Sequence, residues 1–376
     1  MGLRVVTATY LGKHVSLPFE RVLVTGASGF VGCRVVEHLR LAYDVPVRAM
    51  IRTPSRAARV ARLDAEIVRA DLHDREAVAA AVGGCDAVVH CAYGSDGTSR
   101  ERRATTGAAT AALVEIARTK GVGSFVHLSS AAVHGLPPPE GEVAEEAPAA
   151  YVGHPYIDGK IDSERAVAES AERGLRTVVL RPTNVYGPWS ELFTVAPVRA
   201  VREGWVALVG EGAGCANALY IDNLVHAIVL ALTSDLAAGE TFLVSDGTGL
   251  SWRELYASYA RMLQPERPVR TISEAEFRRR RSRGGVSRLL RAAADRPGLR
   301  GIGRRLVGAV PGATETVRRT IAGDPHLPSE ELARLQTSHT RFVIDKARAL
   351  LRYEPLVGPE LAMRLTREWL RFARLA

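Results

Sequence analysis

The chain has 376 residues, 47% of them apolar, which suffices for one large α/β domain or two and for a sizeable core. No stretch approaches the roughly 20 uninterrupted apolar residues of a bilayer span, and the first residues lack the charged start, apolar middle and small-residue cleavage site of a secretory leader, so a cytoplasmic protein is expected. The net charge of +9 is local: residues 267–320 hold 15 Arg against 4 acids, +11, leaving −2 for everything else, so the body is nearly neutral and no nucleic-acid partner is expected.

Residues 1–20 precede the first motif and form an N-terminal extension without identifiable chemistry. The apolar run Val22-Leu23-Val24 then stops at Thr25-Gly26-Ala27-Ser28-Gly29-Phe30-Val31-Gly32, after which Val31, Val35, Val36 and Leu39 fall at helical spacing. A strand, a glycine turn and a helix make the geometry that receives a dinucleotide pyrophosphate. Gly26 permits the tight turn, Gly29 removes a Cβ that would block phosphate, and Gly32 lets helix approach strand; the helix N-terminus offers unpaired N–H groups, so Gly26, Ser28, Gly29, Phe30, Val31 and Gly32 are the expected phosphate contacts. By itself a glycine-rich stretch is as often a structural turn, and it is the flanking strand and helix that raise the reading.

Val-rich runs recur at Val45–Ile51, Ala65–Val68, Ala87–His90, Phe125–Leu128 and Thr177–Leu180, with helices expected to begin near Gly29, Ser55, Arg75, Thr98 and Ser163. Continuous rather than alternating apolar strands imply a parallel sheet buried on both faces. The expected fold is α/β: a Rossmann-type doubly wound parallel sheet over residues 21–183 with a smaller C-terminal substrate-binding lobe. That lobe, 184–376, is interleaved with the last Rossmann elements; it loosens around Pro182, Pro188 and Pro197 and returns to helix at Ala347, Leu350, Leu351, Leu361, Leu365, Trp369 and Leu370. A lobe added beyond the C-terminal strand ends is expected to wall a substrate cleft. Cys33, Cys85, Cys91 and Cys215 have no metal-ligand spacing, and three of them lie in segments that read as buried core, so free thiols and no metal are expected.

Two groups of residues carry chemistry. After the strand Phe125-Val126-His127-Leu128 comes Ser129-Ser130, and 26 residues past Ser130 stands Tyr156-Ile157-Asp158-Gly159-Lys160, which places phenol and amine on one helix face. An ammonium beside a phenol is expected to lower its pKa from about 10 toward neutrality, making Tyr156 a general acid/base, with Ser130 hydrogen-bonded to the reacting oxygen. Each motif alone has a bland reading, a chance pair or a helix cap; their order behind the glycine turn argues for a site. At the other end, the second strand finishes in Arg52 with no carboxylate before Asp64. Arg52 and Arg56 suit a ribose 2′-phosphate, so NADP(H) is expected in preference to NAD(H); the alternative is a pair of solvated arginines.

Over roughly residues 20–375 the chain resembles the extended short-chain dehydrogenase/reductase family, also called the NAD-dependent epimerase/dehydratase family. The resemblance rests on Gly26-x-x-Gly29-x-x-Gly32, Asp71-Leu72, Asp86-Ala87-Val88-Val89-His90-Cys91-Ala92, Ser129-Ser130-Ala131-Ala132-Val133-His134-Gly135, Arg181-Pro182-Thr183-Asn184-Val185-Tyr186-Gly187-Pro188, Tyr220-Ile221-Asp222-Asn223 and Asp345-Lys346-Ala347-Arg348. It implies a Ser130/Tyr156/Lys160 triad, with Lys160 also on the nicotinamide ribose, Asp71 and Leu72 near adenine, Cys91, Ala92, Tyr93 and Pro182 along the cofactor, Asn184 and Tyr186 toward substrate, and a homodimer. Asp71 also reads as a helix cap. Three departures narrow the activity. Thr106 and Thr110 occupy the helix where many members carry an Asn; Ala131-Ala132 replace the Asp-Glu pair of the 4,6-dehydratases; Ala216, beside Asn217, stands where members that bind UDP-sugars carry an Arg. The run Ala347–Pro355, with Tyr353-Glu354-Pro355, resembles sterol- and flavonoid-type reductases, which keeps an apolar substrate open.

Residues 278–305 interleave Arg278–Arg281, Arg283, Arg300, Arg304 and Arg305 with Val286, Leu289, Leu290, Ala293, Leu299, Ile302 and Leu306, broken by Gly and Pro. This basic amphipathic pattern reads as a solvated flap over the cleft, as peripheral membrane contact through 278–310, or as an entry for acidic or lipidic substrates. The leading expectation for the whole chain is an NAD(P)-dependent oxidoreductase moving hydride between nicotinamide and a secondary alcohol/ketone carbon of a small molecule, with Tyr156 handling the proton. The alternatives are a nucleotide-sugar epimerase using the same triad through a transient ketone, and a non-catalytic NADP(H)-binding sensor.

Overall fold

A computed structural model describes residues 17–282 and 326–376. They fall into two compact units, one comprising the described residues up to Thr194 with Asn217–Gly249 and Thr340–Leu370, the other Val195–Ala216, the described part of Leu250–His339, and Arg371–Ala376.

The first unit is built on a seven-stranded sheet of β1 (Val22–Thr25), β2 (Val47–Ile51), β3 (Glu66–Arg69), β4 (Ala87–His90), β5 (Ser124–Leu128), β7 (Thr177–Pro182) and β11 (Thr241–Val244). Their order is β11-β7-β5-β4-β1-β2-β3 and every pairing is parallel. Strands β1, β2, β4 and β5 are buried throughout, as Val-rich runs covered on both faces should be, whereas the edge strand β3 exposes Glu66 and Arg69. The seventh strand, β11, comes from the region expected to be loose; Phe242, Leu243 and Val244 are its buried residues. Helices α1 (Phe30–Leu41), α2 (Arg75–Val82), α3 (Ser99–Thr106), α4 (Ala108–Thr119) and α5 (Pro155–Glu172) cover the sheet.

Two expected helix starts are corrected. From Ser55 only short 3₁₀ turns form, Pro54–Arg56 and Val60–Arg62, because Val60 is their only buried side chain and no apolar stripe holds a longer helix to the sheet. The helix expected from Ser163 begins at Pro155, where proline at the first position fits the helical backbone. Tyr156 and Lys160 therefore lie in its first two turns. Gly159 is needed there because a Cβ would come 2.8 Å from Thr106 Cβ, where α3 crosses α5.

Two short parallel pairs complete the first unit: β8 (Asn184–Tyr186) with β10 (Ala218–Tyr220), and β6 (Glu142–Val143) with β13 (Arg341–Phe342). The second unit holds β9 (Val206–Val209) paired with β12 (Arg270–Ile272), and a core of Val206, Val209, Ile272, Phe277 and Ala333. The basic segment is described only in its helix Glu274–Ser282, where Arg278 and Arg280 pair with Glu274 and Glu276 one turn back; the rest of 278–310, on which the membrane reading depends, lies outside the described residues. Among the described residues no helix is long and apolar enough to cross a membrane. All four cysteines are free; Cys33 and Cys85 are buried, and Cys91 and Cys215 partly so.

Candidate nucleotide and catalytic site

The glycine turn has the expected form. Gly26 sits at φ +64°, and a Cβ on it would lie 2.8 Å from the backbone N of Ala92; at Gly32 a Cβ would meet Gly26 O at 2.3 Å, so helix and strand touch there. Gly29 is the N-cap of α1 without a side-chain cap, and the first turn holds no acidic residue. A cradle emptied of side chains, at a helix N-terminus without a competing carboxylate, fits a dinucleotide pyrophosphate. Ser28, Phe30 and Val31 line it, each partly buried.

Arg52 and Arg56 lie just past β2, both exposed. The fold adds a residue that local spacing did not reveal: Asp96, in the loop after β4, pairs with Arg52. Asp71 Oδ1 accepts the backbone N–H of His73 at 3.0 Å, the bland turn role, and Leu72 is buried. Thr106 and Thr110 have structural partners. Thr106 Oγ1 accepts Gly94 N–H at 3.0 Å, and Thr110 joins His90 Nε2 at 2.8 Å while His90 Nδ1 meets Thr25 Oγ1 at 2.6 Å. His90 stacks on His127, which bonds Ser163 at 2.9 Å. Burial, and then the charge of Lys160, push His90 down to about 3 and His127 well below its usual range, so both are neutral.

Ser130, Tyr156 and Lys160 come together at the end of β5. Ser130 caps the 3₁₀ turn Ala131–His134, its Oγ accepting Ala132 N–H at 3.2 Å, and it also hydrogen-bonds the Tyr156 side chain. Lys160 is buried, donates to Leu128 O, and holds its Nζ 5.9 Å from the Tyr156 ring centre. The expected phenolate is corrected. Burial pushes Tyr156 up to about 12 against the opposing Ser130 bond, and burial pushes Lys160 down to about 8. At this separation the ammonium does not offset the desolvation of the phenol, so Tyr156 stands as a proton donor. Tyr93, half exposed, sets its ring edge-on to Tyr156 with centres 5.5 Å apart. Cys91, beside them, has its thiol raised to about 12 by burial.

The residues expected to face substrate separate. Asn184 is partly buried in β8, whereas Tyr186 is 2% exposed and packs on Tyr220. Asn217 is committed to the fold: its Nδ2 donates to Thr340 O at 2.8 Å and its Oδ1 accepts Phe342 N–H at 3.1 Å. Arg34 of α1 grips the buried Asp222 with two bonds of 2.6 and 2.9 Å. Among the described residues no cluster of His, Cys, Asp or Glu has metal-binding geometry.

The sequence pattern of the "NAD dependent epimerase/dehydratase family" matches residues 22–245. The chain is 31% identical to a 2-alkyl-3-oxoalkanoate reductase of Stenotrophomonas maltophilia (strain K279a) over 250 residues, 62% of this chain and 73% of that one. It is also 31% identical to a dTDP-glucose 4,6-dehydratase of Streptomyces niveus over 255 residues, 62% and 75% of the two chains. A UDP-glucuronic acid 4-epimerase of Bacillus cereus, solved with NAD, superposes with a TM-score of 0.70 at 17% identity, covering 94% of this chain and 99% of that one, and shares the fold. The chain thus belongs to the NAD dependent epimerase/dehydratase family, the extended short-chain dehydrogenase/reductases, and is one of its NAD(P)-dependent enzymes.

Proposed function

We propose that the protein reduces a ketone, or in reverse oxidises a secondary alcohol, on a small substrate that carries no nucleotide diphosphate, with NADP(H) preferred over NAD(H). The observation that carries the reading is the meeting of three side chains at the end of β5: Tyr156 and the buried Lys160 one helical turn apart, with Nζ 5.9 Å from the phenol ring centre, and Ser130 beside them. A phenol held in its acid form gives a proton to a developing alkoxide, and Ser130 holds the same oxygen. The nicotinamide cofactor, when bound, supplies or accepts hydride. Gly26, Ser28, Gly29, Phe30, Val31 and Gly32 would hold its pyrophosphate, Lys160 its nicotinamide ribose, Cys91, Ala92, Tyr93 and Pro182 its length, and Asp71 and Leu72 its adenine. Arg52 and Arg56 support the preference for a 2′-phosphate.

Ala131 and Ala132 offer no acid or base for loss of water. Ala216 gives no charge to neutralise a diphosphate, and both ends of the Asn217 amide are engaged by the backbone of 340–342. Relatives named as a 2-alkyl-3-oxoalkanoate reductase and as a 3 beta-hydroxysteroid dehydrogenase/Delta 5-->4-isomerase of Mycobacterium tuberculosis are in keeping with an apolar ketone or alcohol. The test is turnover with each nicotinamide cofactor on 3-oxo acids, steroids and UDP-sugars. Change of nicotinamide absorbance in step with product supports the reading. Product from a UDP-sugar without net change of absorbance would replace it with epimerisation by the same triad. Light scattering tests the homodimer expected from resemblance.

A further inference from the structure

We propose that Asp96 is a specificity-determining residue for the cofactor, setting how strongly a ribose 2′-phosphate is preferred by competing for the Arg52 guanidinium. The inference rests on the reading that a dinucleotide lies on the glycine turn. Strand β1 runs between β2 and β4, with Thr25 in register with Met50 on one side and His90 on the other, and Ala27 N–H donates to Met50 O. Arg52 leaves β2 two residues past Met50 and Asp96 arrives from the loop after β4, so their ion pair spans the carboxyl end of β1 beside Gly26. In parallel sheets of this type the adenosine ribose lies at the end of the second strand, where a carboxylate takes the 2′-hydroxyl and an arginine takes a 2′-phosphate. Here β2 ends without a carboxylate, and the fold brings one in from β4.

The local charges are Arg52, Arg56 and Asp96. A hydrogen bond from Arg52, reinforced by Ser95 and by the charges of Arg52 and Arg56, holds the Asp96 carboxyl below its ordinary range, so it is ionised at neutral pH. Arg52 and Asp96 have side chains 47% and 55% exposed, and a pair so open to water is worth little and opens readily. A 2′-phosphate can therefore displace Asp96, but it must do so against a carboxylate of its own sign, whereas a 2′-hydroxyl meets no such competition.

The test titrates the full-length protein with NADPH and with NADH, following the change in nicotinamide fluorescence, for wild type, Asp96→Asn, Arg52→Ala and the double variant. Asp96→Asn is expected to tighten NADPH about fivefold and to leave NADH within about twofold, and the gain should vanish in the Arg52→Ala background, as coupling of a charge pair requires. An unchanged NADPH affinity in Asp96→Asn, a loss of it, or equal tightening of both nucleotides overturns the inference while the nucleotide site stands. Failure of the wild type to bind either nucleotide overturns the site itself and this inference with it.

Discussion

Around Gly26, Gly29 and Gly32 the structure leaves side chains out, whereas around Tyr156 and Lys160 it sets a partly buried phenol against a buried amine. The first region is an arrangement of backbone, so its chemistry follows from where Cβ atoms are forbidden. The second depends on solvation, because the identity of a Tyr and a Lys one turn apart does not say which of them holds a proton. The glycine corner can thus be read from its spacing together with the strand and helix that flank it, while the Tyr156 and Lys160 corner needs its surroundings before the direction of any proton transfer is known.

The sharpest way to break this contrast is Tyr156→Phe. Loss of the proton donor is expected to lower turnover by about 10²–10⁴ while dinucleotide affinity stays within about twofold, measured by kcat beside a binding titration. Retained turnover would remove Tyr156 from the chemistry. Gly32→Ala should act in the opposite way: its Cβ would fall 2.3 Å from Gly26 O, so α1 must move off β1, costing about 1–3 kcal/mol in urea unfolding and weakening dinucleotide binding. Gly29→Ala, whose nearest contact would be 3.1 Å from Gly26 O, should cost less stability than Gly32→Ala while still weakening dinucleotide binding.

Lys160 sharpens the second region through pH. Burial sets it at about 8, so its charge is present below that value and is lost as pH rises through it. The reductive kcat/KM is expected to fall across about pH 8, well before Tyr156 at about 12 titrates, and the limb should shift upward in Lys160→Arg, whose guanidinium stays charged. The smallest effect is on stability. Asp246 is buried, accepts Tyr220 N–H and Asn223 Nδ2, and is raised by burial to about 7. Because its folded pKa lies above the unfolded value near 3.9, the stabilisation present at low pH is lost as pH rises from about 4 through 7. Asp246→Asn should flatten that decline, a difference on the order of a few °C in Tm.

What the sequence made legible is what short spacing controls. The turn from Gly26 to Gly32, the buried Val-rich strands and the alternation into a parallel sheet are all local patterns. The helix that carries Tyr156 and Lys160 starts at Pro155 rather than near Ser163, and only the packing of α3 against it shows why Gly159 stands inside. The missing helix after Ser55 had helical spacing but too little to bury. Asp96 and Asn217 had no local signal, since one acquires its meaning from Arg52, 44 residues earlier, and the other from Thr340, 123 residues later. Nor did spacing reveal the state of Tyr156, since desolvation is a property of the finished fold.

The Asn217 bonds to Thr340 and Phe342 have a counterpart in Asn223, whose side chain holds Val357 through bonds of 2.8 and 3.0 Å to its N–H and O. About 90 residues of sequence separate Gly249 from Thr340, the described ones belonging to the second unit, yet Ile344, Ala347, Leu351 and Tyr353 belong to the same core as β1. A chain emerging from the ribosome amino end first therefore translates the whole excursion with part of that core still uncovered. Closing so long a loop costs only slightly more entropy than closing a short one, so the burden is one of timing rather than of final stability. The first unit is the first to begin leaving the ribosome and waits longest for its last pieces.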